Sequence, residues 1–234
     1  MSRTYTETFD ETNGGWIGWA SNAKGPAAVE RKDSAIIVRS PWWIDYNHAP
    51  PGGGYLHVLF ALQTKPHFKL DAEQRELGGV NRFMEENFPT DFTNARVTLR
   101  LRGEVDLQGA NLFFHAQARV GNVFVNQTLV AQPFKITREW SEQTVQLTPD
   151  PAQWRCLGAR HDRGEFYGDG PIESVLRDLN NNIIFILYPL DVHPAAPGVS
   201  EPHLLRAGED YPVDRSRLPS GYIMVDDIRI EFAK

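Results

Sequence analysis

The segment "NLFFHAQARVGNVFVNQTLV", residues 111–130, shows the pattern that decides the fold. Its even positions from Leu112 to Ala118 are apolar, whereas its odd positions carry larger groups that include Phe113, His115 and Gln117. Successive side chains of a strand point to opposite faces of a sheet. The alternation therefore predicts a β-strand with one core face and one face of polar and aromatic groups.

Seven further runs of the same kind are bounded by Gly, Pro, Asn or Asp. They lie at residues 34–40, 55–62, 95–103, 122–130, 141–148, 182–188 and 222–232. Eight such strands predict an all-β fold, an antiparallel β-sandwich or jelly roll, formed by residues 1–234 as one domain. The segment 169–180 predicts one short helix, and 71–77 one or two further turns. Residues 63–94 and 189–221 are expected to be two long loop insertions.

Composition excludes several classes of protein. The 234 residues carry 24 basic and 30 acidic side chains, a net charge of −6, which argues against nucleic-acid and membrane binding. No apolar run reaches the roughly 20 residues that span a bilayer. The first residues lack an apolar stretch of the signal-peptide type, so we expect a cytoplasmic location. Cys156 is the single cysteine, which leaves no intrachain disulfide. No pattern indicates an organic cofactor or an oligomeric state.

Three motifs resemble those of jelly-roll carbohydrate-binding modules, which are galactose-binding-domain-like β-sandwiches. "ETFDETNGGWIGW" (7–19) resembles their opening strand, with a Phe–acidic pair before Gly–Trp. "EWSEQTVQLT" (139–148) resembles their Trp followed by a strand, and "GYIMVDDIRIEF" (221–232) their closing strand. Together the motifs cover nearly the whole chain in order. The resemblance implies a β-sandwich that recognises a sugar or glycoside.

The resemblance also implies a structural calcium ion that ties the first strand to the last. Asp227 would supply one carboxylate, and Asp10 or Glu11 the matching one. The closing strand has a feature of its own, because its apolar residues change from odd to even positions at Asp226–Asp227. A strand changes face only through an extra residue, so the pattern predicts a β-bulge there.

The predicted ligand site combines an irregular segment with the polar strand faces. Within "SPWWIDYNHAPPGGGYLHVLF" (40–60), its rim is Trp42, Trp43, Asp45 and His48. If the even positions of 55–62 face the core, the opposite face carries Tyr55 and His57. With side chains from the neighbouring strands, the floor is then Tyr55, His57, Arg100, His115 and Gln117. Rigid aromatic and hydrogen-bonding groups suit a polyhydroxylated ligand. A residue that faces an open cleft packs little, so His115→Ala is expected to leave stability nearly unchanged.

The alternative function is a cytoplasmic enzyme that acts on a sugar-like substrate. A cluster of Tyr55, His57 and His115, with Asp45 and Arg100, would serve a lyase, epimerase or dehydratase, because Arg can stabilise the negative charge that proton abstraction creates. A hydrolase would instead need two carboxylates, for which the candidates are Asp45, Glu165, Asp169 and Asp191. No metal-binding histidine motif, nucleophile elbow or phosphate loop occurs.

Overall fold

The computed structural model describes residues 3–21, 24–45, 55–66, 71–158 and 164–233. Within them the helices are α1 (Asp71–Gly78), α2 (Arg82–Glu85) and α3 (Ile172–Arg177). The strands are β1 (Thr4–Glu7), β2 (Gly18–Ser21), β3 (Gly25–Ala27), β4 (Glu30–Lys32), β5 (Ala35–Arg39), β6 (Ile44–Asp45), β7 (Tyr55–Gln63), β8 (Arg96–Asp106), β9 (Asn111–Val120), β10 (Val123–Thr128), β11 (Ser141–Gln146), β12 (Arg155–Cys156), β13 (Tyr167–Gly168), β14 (Asn182–Leu190) and β15 (Ser220–Glu231). All eight strands predicted from the alternation are present.

Two sheets face each other. Among the described residues, one sheet has six strands in the order β11-β8-β15-β5-β4, with β1 also paired to β15. The other has seven, in the order β12-β10-β9-β14-β7-β6, with β13 paired to β10. The β10–β13 pair is parallel, whereas the long strands pair antiparallel. The predicted fold class, a jelly-roll-like antiparallel β-sandwich, is confirmed.

The core lies between the two sheets and combines aliphatic residues with a set of aromatic rings. Phe60 and Phe185, on neighbouring strands, have ring centroids 4.9 Å apart, and Trp16 lies 5.7 Å from Phe60. All three side chains are fully buried. Burying a side chain of this size contributes about 1.5–3 kcal/mol, so this cluster stabilises the core side of the seven-stranded sheet. The core faces predicted for β8 and β9 are confirmed, as Leu99 and Phe114 show.

The predicted bulge in β15 is also confirmed. The pairing of β15 with β8 shifts register between Val225 and Asp227. Ile223 and Val225 before the shift, and Ile228 after it, are all buried in the core. The extra residue therefore keeps both halves of the strand in contact with the core, although their apolar residues have opposite parity.

The described residues contain three short helices: α3, α1 at the helical turns predicted for 71–77, and α2, which the sequence did not predict. α3 lies where the sequence predicts it, with Ile172 and Val175 buried, although Pro171 is its N-cap rather than its first residue. α1 and α2 fall in the predicted loop 63–94. The four-residue α2 is too short to be stable alone and depends on the burial of Phe83. No helix in the described part of the chain combines the length and apolarity needed to cross a membrane.

Candidate ligand-binding groove

Four amide side chains form a row across the outer face of the seven-stranded sheet. The register pairs Gln63 of β7 with Asn182 of β14, Asn182 with Gln117 of β9, and Gln117 with Asn126 of β10. The next residue in β14, Ile183, is buried in the core, as is Val125 before Asn126. Because side chains alternate between faces, the four amides share the face away from the core. We call Gln63, Asn182, Gln117 and Asn126 the amide row.

Hydrogen bonds link three members of the row. Gln117 Nε2 donates to Asn126 Oδ1 over 2.9 Å, and Gln117 Oε1 accepts from Asn182 Nδ2 over 2.9 Å. Asn181 Nδ2 also donates to Gln117 Oε1. Gln63 differs, because neither its Nε2 nor its Oε1 has a hydrogen-bond partner among the described residues, although the residue is only 2% exposed. Leaving a buried amide without partners costs about 1–3 kcal/mol, so Gln63 is an unfavourable group in the absence of a further contact.

Aromatic side chains wall the groove on both sides. Trp19 and Trp43 lie on one side, with ring centroids 6.4 Å apart. Phe124, Phe166 and Tyr167 lie on the other, and Phe166 is 44% exposed. The cavity between them has a volume of about 200 Å³. This is below the roughly 300–1,000 Å³ of sites for drug-sized ligands, so the cavity suits about one ring of a ligand.

The described lining of the groove carries no charged side chain. Its floor is made by Gln63, Gln117 and Asn182 of the amide row together with aliphatic side chains, among them Val58, Ala61 and Ile184. Among the described residues that line it, none is acidic, basic or a histidine. The part of the groove that the structure describes therefore offers apolar contacts and uncharged hydrogen bonds.

The side chains of the two adjacent tryptophans of the predicted rim lie in different environments. Trp42 is buried in the main core, where its ring lies 5.7 Å from that of His57. Trp43 is half-buried and lines the groove. Asp45, the last residue of β6, is fully buried. His48 lies outside the described residues. Of the predicted rim, the structure thus brings Trp43 to the groove.

The faces predicted for the first half of β7 are wrong, because the strand contains a bulge. Phe60 pairs with Phe185 and Val58 with Ile186, which leaves Leu59 as an extra residue. Leu56 and Val58 therefore belong to the apolar cluster on the outer face. Tyr55 and His57, which alternate with them along the strand, turn inward. The predicted floor residues in this half, Tyr55 and His57, lie on the core side.

Both inward-facing residues are held by backbone oxygens. Tyr55 Oη lies 2.9 Å from the carbonyl oxygen of Pro202, to which its hydroxyl can donate. His57 is 1% exposed, and its Nδ1 lies 2.9 Å from the carbonyl oxygen of Trp43. Burial lowers the pKa of His57 from 6.5 to about 4, so the ring is neutral at pH 7. A neutral ring donates from Nδ1 to Trp43, which indicates a structural role for His57.

His115 lies on the predicted face, but the expectation that it borders an open cleft is wrong. It is 1% exposed, with Nδ1 2.8 Å from Thr128 Oγ1 and Nε2 3.3 Å from Asn126 Oδ1. These contacts join His115 to the amide row through Asn126. Gln117, by contrast, lines the groove. His115 therefore lies beside the amide row on the same face, where its hydrogen bonds hold Asn126 and Thr128.

Arg100 lies on the opposite sheet, so the predicted His–Tyr–Arg cluster does not form. Its guanidinium stacks 4.9 Å from the ring of Trp140 and pairs with Asp226 on the outer face of the six-stranded sheet. The core, about 10 Å thick in such sandwiches, separates it from the groove. The hydrolase candidate Asp191 is held in an ion pair with Arg217, 2.5 Å away. The arrangement does not assemble the proposed acid–base residues.

The three predicted calcium ligands lie in different surroundings. Asp10 accepts a hydrogen bond from Thr8 over 2.6 Å, and this bond, with a smaller contribution from Arg31, lowers the pKa of Asp10. Asp227 lies among Arg229, Glu142 and Arg100, and burial raises its pKa. Glu11 and Asp10 line the same surface depression, and Asp227 is not among the described residues that line it. In the described ranges, no three or more His, Cys, Asp or Glu side chains are grouped as a metal site. The proposed calcium ion would need further oxygen ligands, such as backbone carbonyls, and it stays a prediction.

Several groove residues were not predicted from the sequence. The polar positions of β10 and β14 carry a signal, since Asn126 and Asn182 lie next to apolar residues in alternating strands. Gln63 is hidden by the bulge in β7, because the face of each residue in that strand cannot be counted from its start. Trp19, Phe124 and Tyr167 come from three separate segments that only the tertiary structure brings together.

The chain was compared with protein families, curated proteins and solved structures. No protein-family model matches the chain, and no curated protein matches it. Among solved structures, the carbohydrate-binding module CtCBM11 is similar with a TM-score of 0.32 and 11% identity, over 100% of this chain and 84% of that one. The L4b domain of human laminin α2 is similar with a TM-score of 0.40 and 8% identity, over 99% and 98%. Both are jelly-roll-like β-sandwiches, and at these values neither likeness identifies a ligand.

Proposed function

We propose that this protein binds carbohydrate in the groove on the outer face of its seven-stranded sheet. The observation that carries the proposal is the pairing of aromatic walls with a floor of neutral amides, one of which, Gln63, has no partner among the described residues. A sugar ring presents C–H groups on its faces and hydroxyl groups around its edge. Aromatic rings such as Trp43 suit the faces, and amides, which both donate and accept, suit the hydroxyl groups.

The roles of the two walls and the floor differ. The rings of Trp19 and Trp43 would supply apolar contact, and with Phe124 and Phe166 opposite them a ring could be held between two walls. Gln117 and Asn182 of the amide row would set the orientation of the ligand, because the hydrogen bonds that link them to each other and to Asn126 restrict their side chains before binding. Restriction of this kind reduces the entropy that binding costs.

Binding is tested by titrating soluble mono- and disaccharides into the protein, followed by heteronuclear NMR and calorimetry. We expect the indole signals of Trp19 and Trp43 to shift, and Trp43→Ala to weaken binding at least about tenfold, as for a central aromatic contact. Trp140→Ala is the matched control, since this half-buried indole lies on the outer face of the other sheet, stacked with Arg100 and Arg102. Equal binding by wild type and Trp43→Ala, or no binding of any sugar, would refute the proposal.

A further inference from the structure

Polar and apolar positions lie side by side at one end of the groove. Gln63 and Asn182 are a register pair in the amide row, and two residues along each strand, on the same face, Ala61 pairs with Ile184. All four border the cavity. Backbone hydrogen bonds of 2.7 and 3.0 Å join Ala61 to Ile17, which also lines the cavity. An unused amide therefore lies directly beside a small aliphatic patch.

From this arrangement we infer that the ligand is an uncharged sugar that carries an acetamido group. The inference rests on the proposed function and specifies the ligand class for the same groove. An acetamido group has an acceptor oxygen, a donor N–H and a methyl group within one short planar unit. Gln63 has a donor Nε2 and an acceptor Oε1, both without partners among the described residues. The oxygen and N–H of the ligand match this amide, and the methyl group matches the patch of Ala61 and Ile184.

The neutral lining adds to the argument. A charged amino sugar or uronic acid would lose hydration in the groove, where no described lining side chain carries the opposite charge. Burying an unpaired charge is far more costly than burying a hydrogen-bonded amide. A plain hexose avoids that cost but leaves the aliphatic patch without its methyl contact and offers a hydroxyl group where the amide would lie. An acetamido sugar is thus preferred over its charged and its plain counterparts.

The test compares four ligands of one ring shape with wild-type protein: N-acetylglucosamine, glucose, glucosamine and glucuronic acid, with N-methylacetamide as a probe without a sugar ring. We expect N-acetylglucosamine to bind at least about tenfold more tightly than each of the others, from two hydrogen bonds and one buried methyl group. The Gln63 side-chain NH₂ signals should shift with N-acetylglucosamine. Binding should be insensitive to salt, because no ion pair forms.

A substitution of Gln63 tests whether this residue causes the preference for N-acetylglucosamine. Gln63→Met keeps the length of the side chain and removes both hydrogen-bonding atoms. The preference for N-acetylglucosamine over glucose should therefore fall to about twofold or less. The control Gln143→Met, in β11 of the other sheet, should leave this preference unchanged. If Gln63→Met does not fold, the wild-type panel and the Gln63 NH₂ signals decide. Glucose binding as tightly as N-acetylglucosamine would overturn the inference but leave carbohydrate binding standing. Binding of N-methylacetamide as tight as that of N-acetylglucosamine would overturn the sugar part, and no binding of any sugar would refute both.

Discussion

The buried His57 should make the stability of this protein depend on pH in a way that one substitution removes. Its pKa is 6.5 in an unfolded chain and about 4 in the folded protein, because burial disfavours the charged ring. The unfolded state therefore binds a proton more readily, and the stabilisation present above pH 6.5 is lost as the pH falls towards 4. A shift of this size corresponds to about 3 kcal/mol in total, of which about 2 kcal/mol is lost between pH 7 and pH 4.5.

The assay is guanidinium unfolding at pH 7 and pH 4.5 for wild type and His57→Asn. Asparagine cannot titrate, and its amide N–H can replace the donor that faces the carbonyl oxygen of Trp43. We expect the free energy of unfolding of the variant to fall by about 2 kcal/mol less than that of wild type between the two pH values. His203→Asn, at an exposed position, is the control and should behave as wild type. If wild type and His57→Asn lose the same stability, His57 is not held neutral by the fold.

Three further predictions concern the polar face and calcium. His115→Ala should lower the free energy of unfolding by about 1–3 kcal/mol, because Thr128 and Asn126 each lose a hydrogen-bond partner. If denaturant unfolding shows no loss, His115 lies at an open surface. Gln117→Leu should cost about 2 kcal/mol or more and release the amide signals of its neighbours in NMR spectra, whereas unchanged signals would mean that the row is not bonded as described. The calcium ion that the resemblance implies stays a prediction: a chelator should lower the thermal midpoint and Asp227→Ala should abolish that effect, and an unchanged midpoint in metal-loaded protein would remove it.

The sequence by itself determined the strands and the faces of most of them. In β8 apolar and polar residues alternate, and in β9 they alternate apart from Phe113, so the buried side of residues such as Phe114 and Leu99 follows from counting by two. The bulge in β15 could also be predicted, because the apolar residues change from odd to even positions around Asp227 and a strand changes face only through an extra residue. Local alternation is sufficient for such features because each strand has one face in the core.

The groove was decided by the tertiary structure. Leu56, Val58, Leu59 and Phe60 are all apolar, so no pattern marks the extra residue in β7, and counting from its start places Tyr55 and His57 on the wrong face. The amide row exists only because four strands pair in one register, and the sequence does not encode the pairing partners of a strand locally. Arg100 illustrates the same limit, since alternation gives the face of a residue within its own sheet but not which sheet that is. The site depends on contacts between distant segments, and only their packing brings Gln63, Trp43 and Phe124 to one groove.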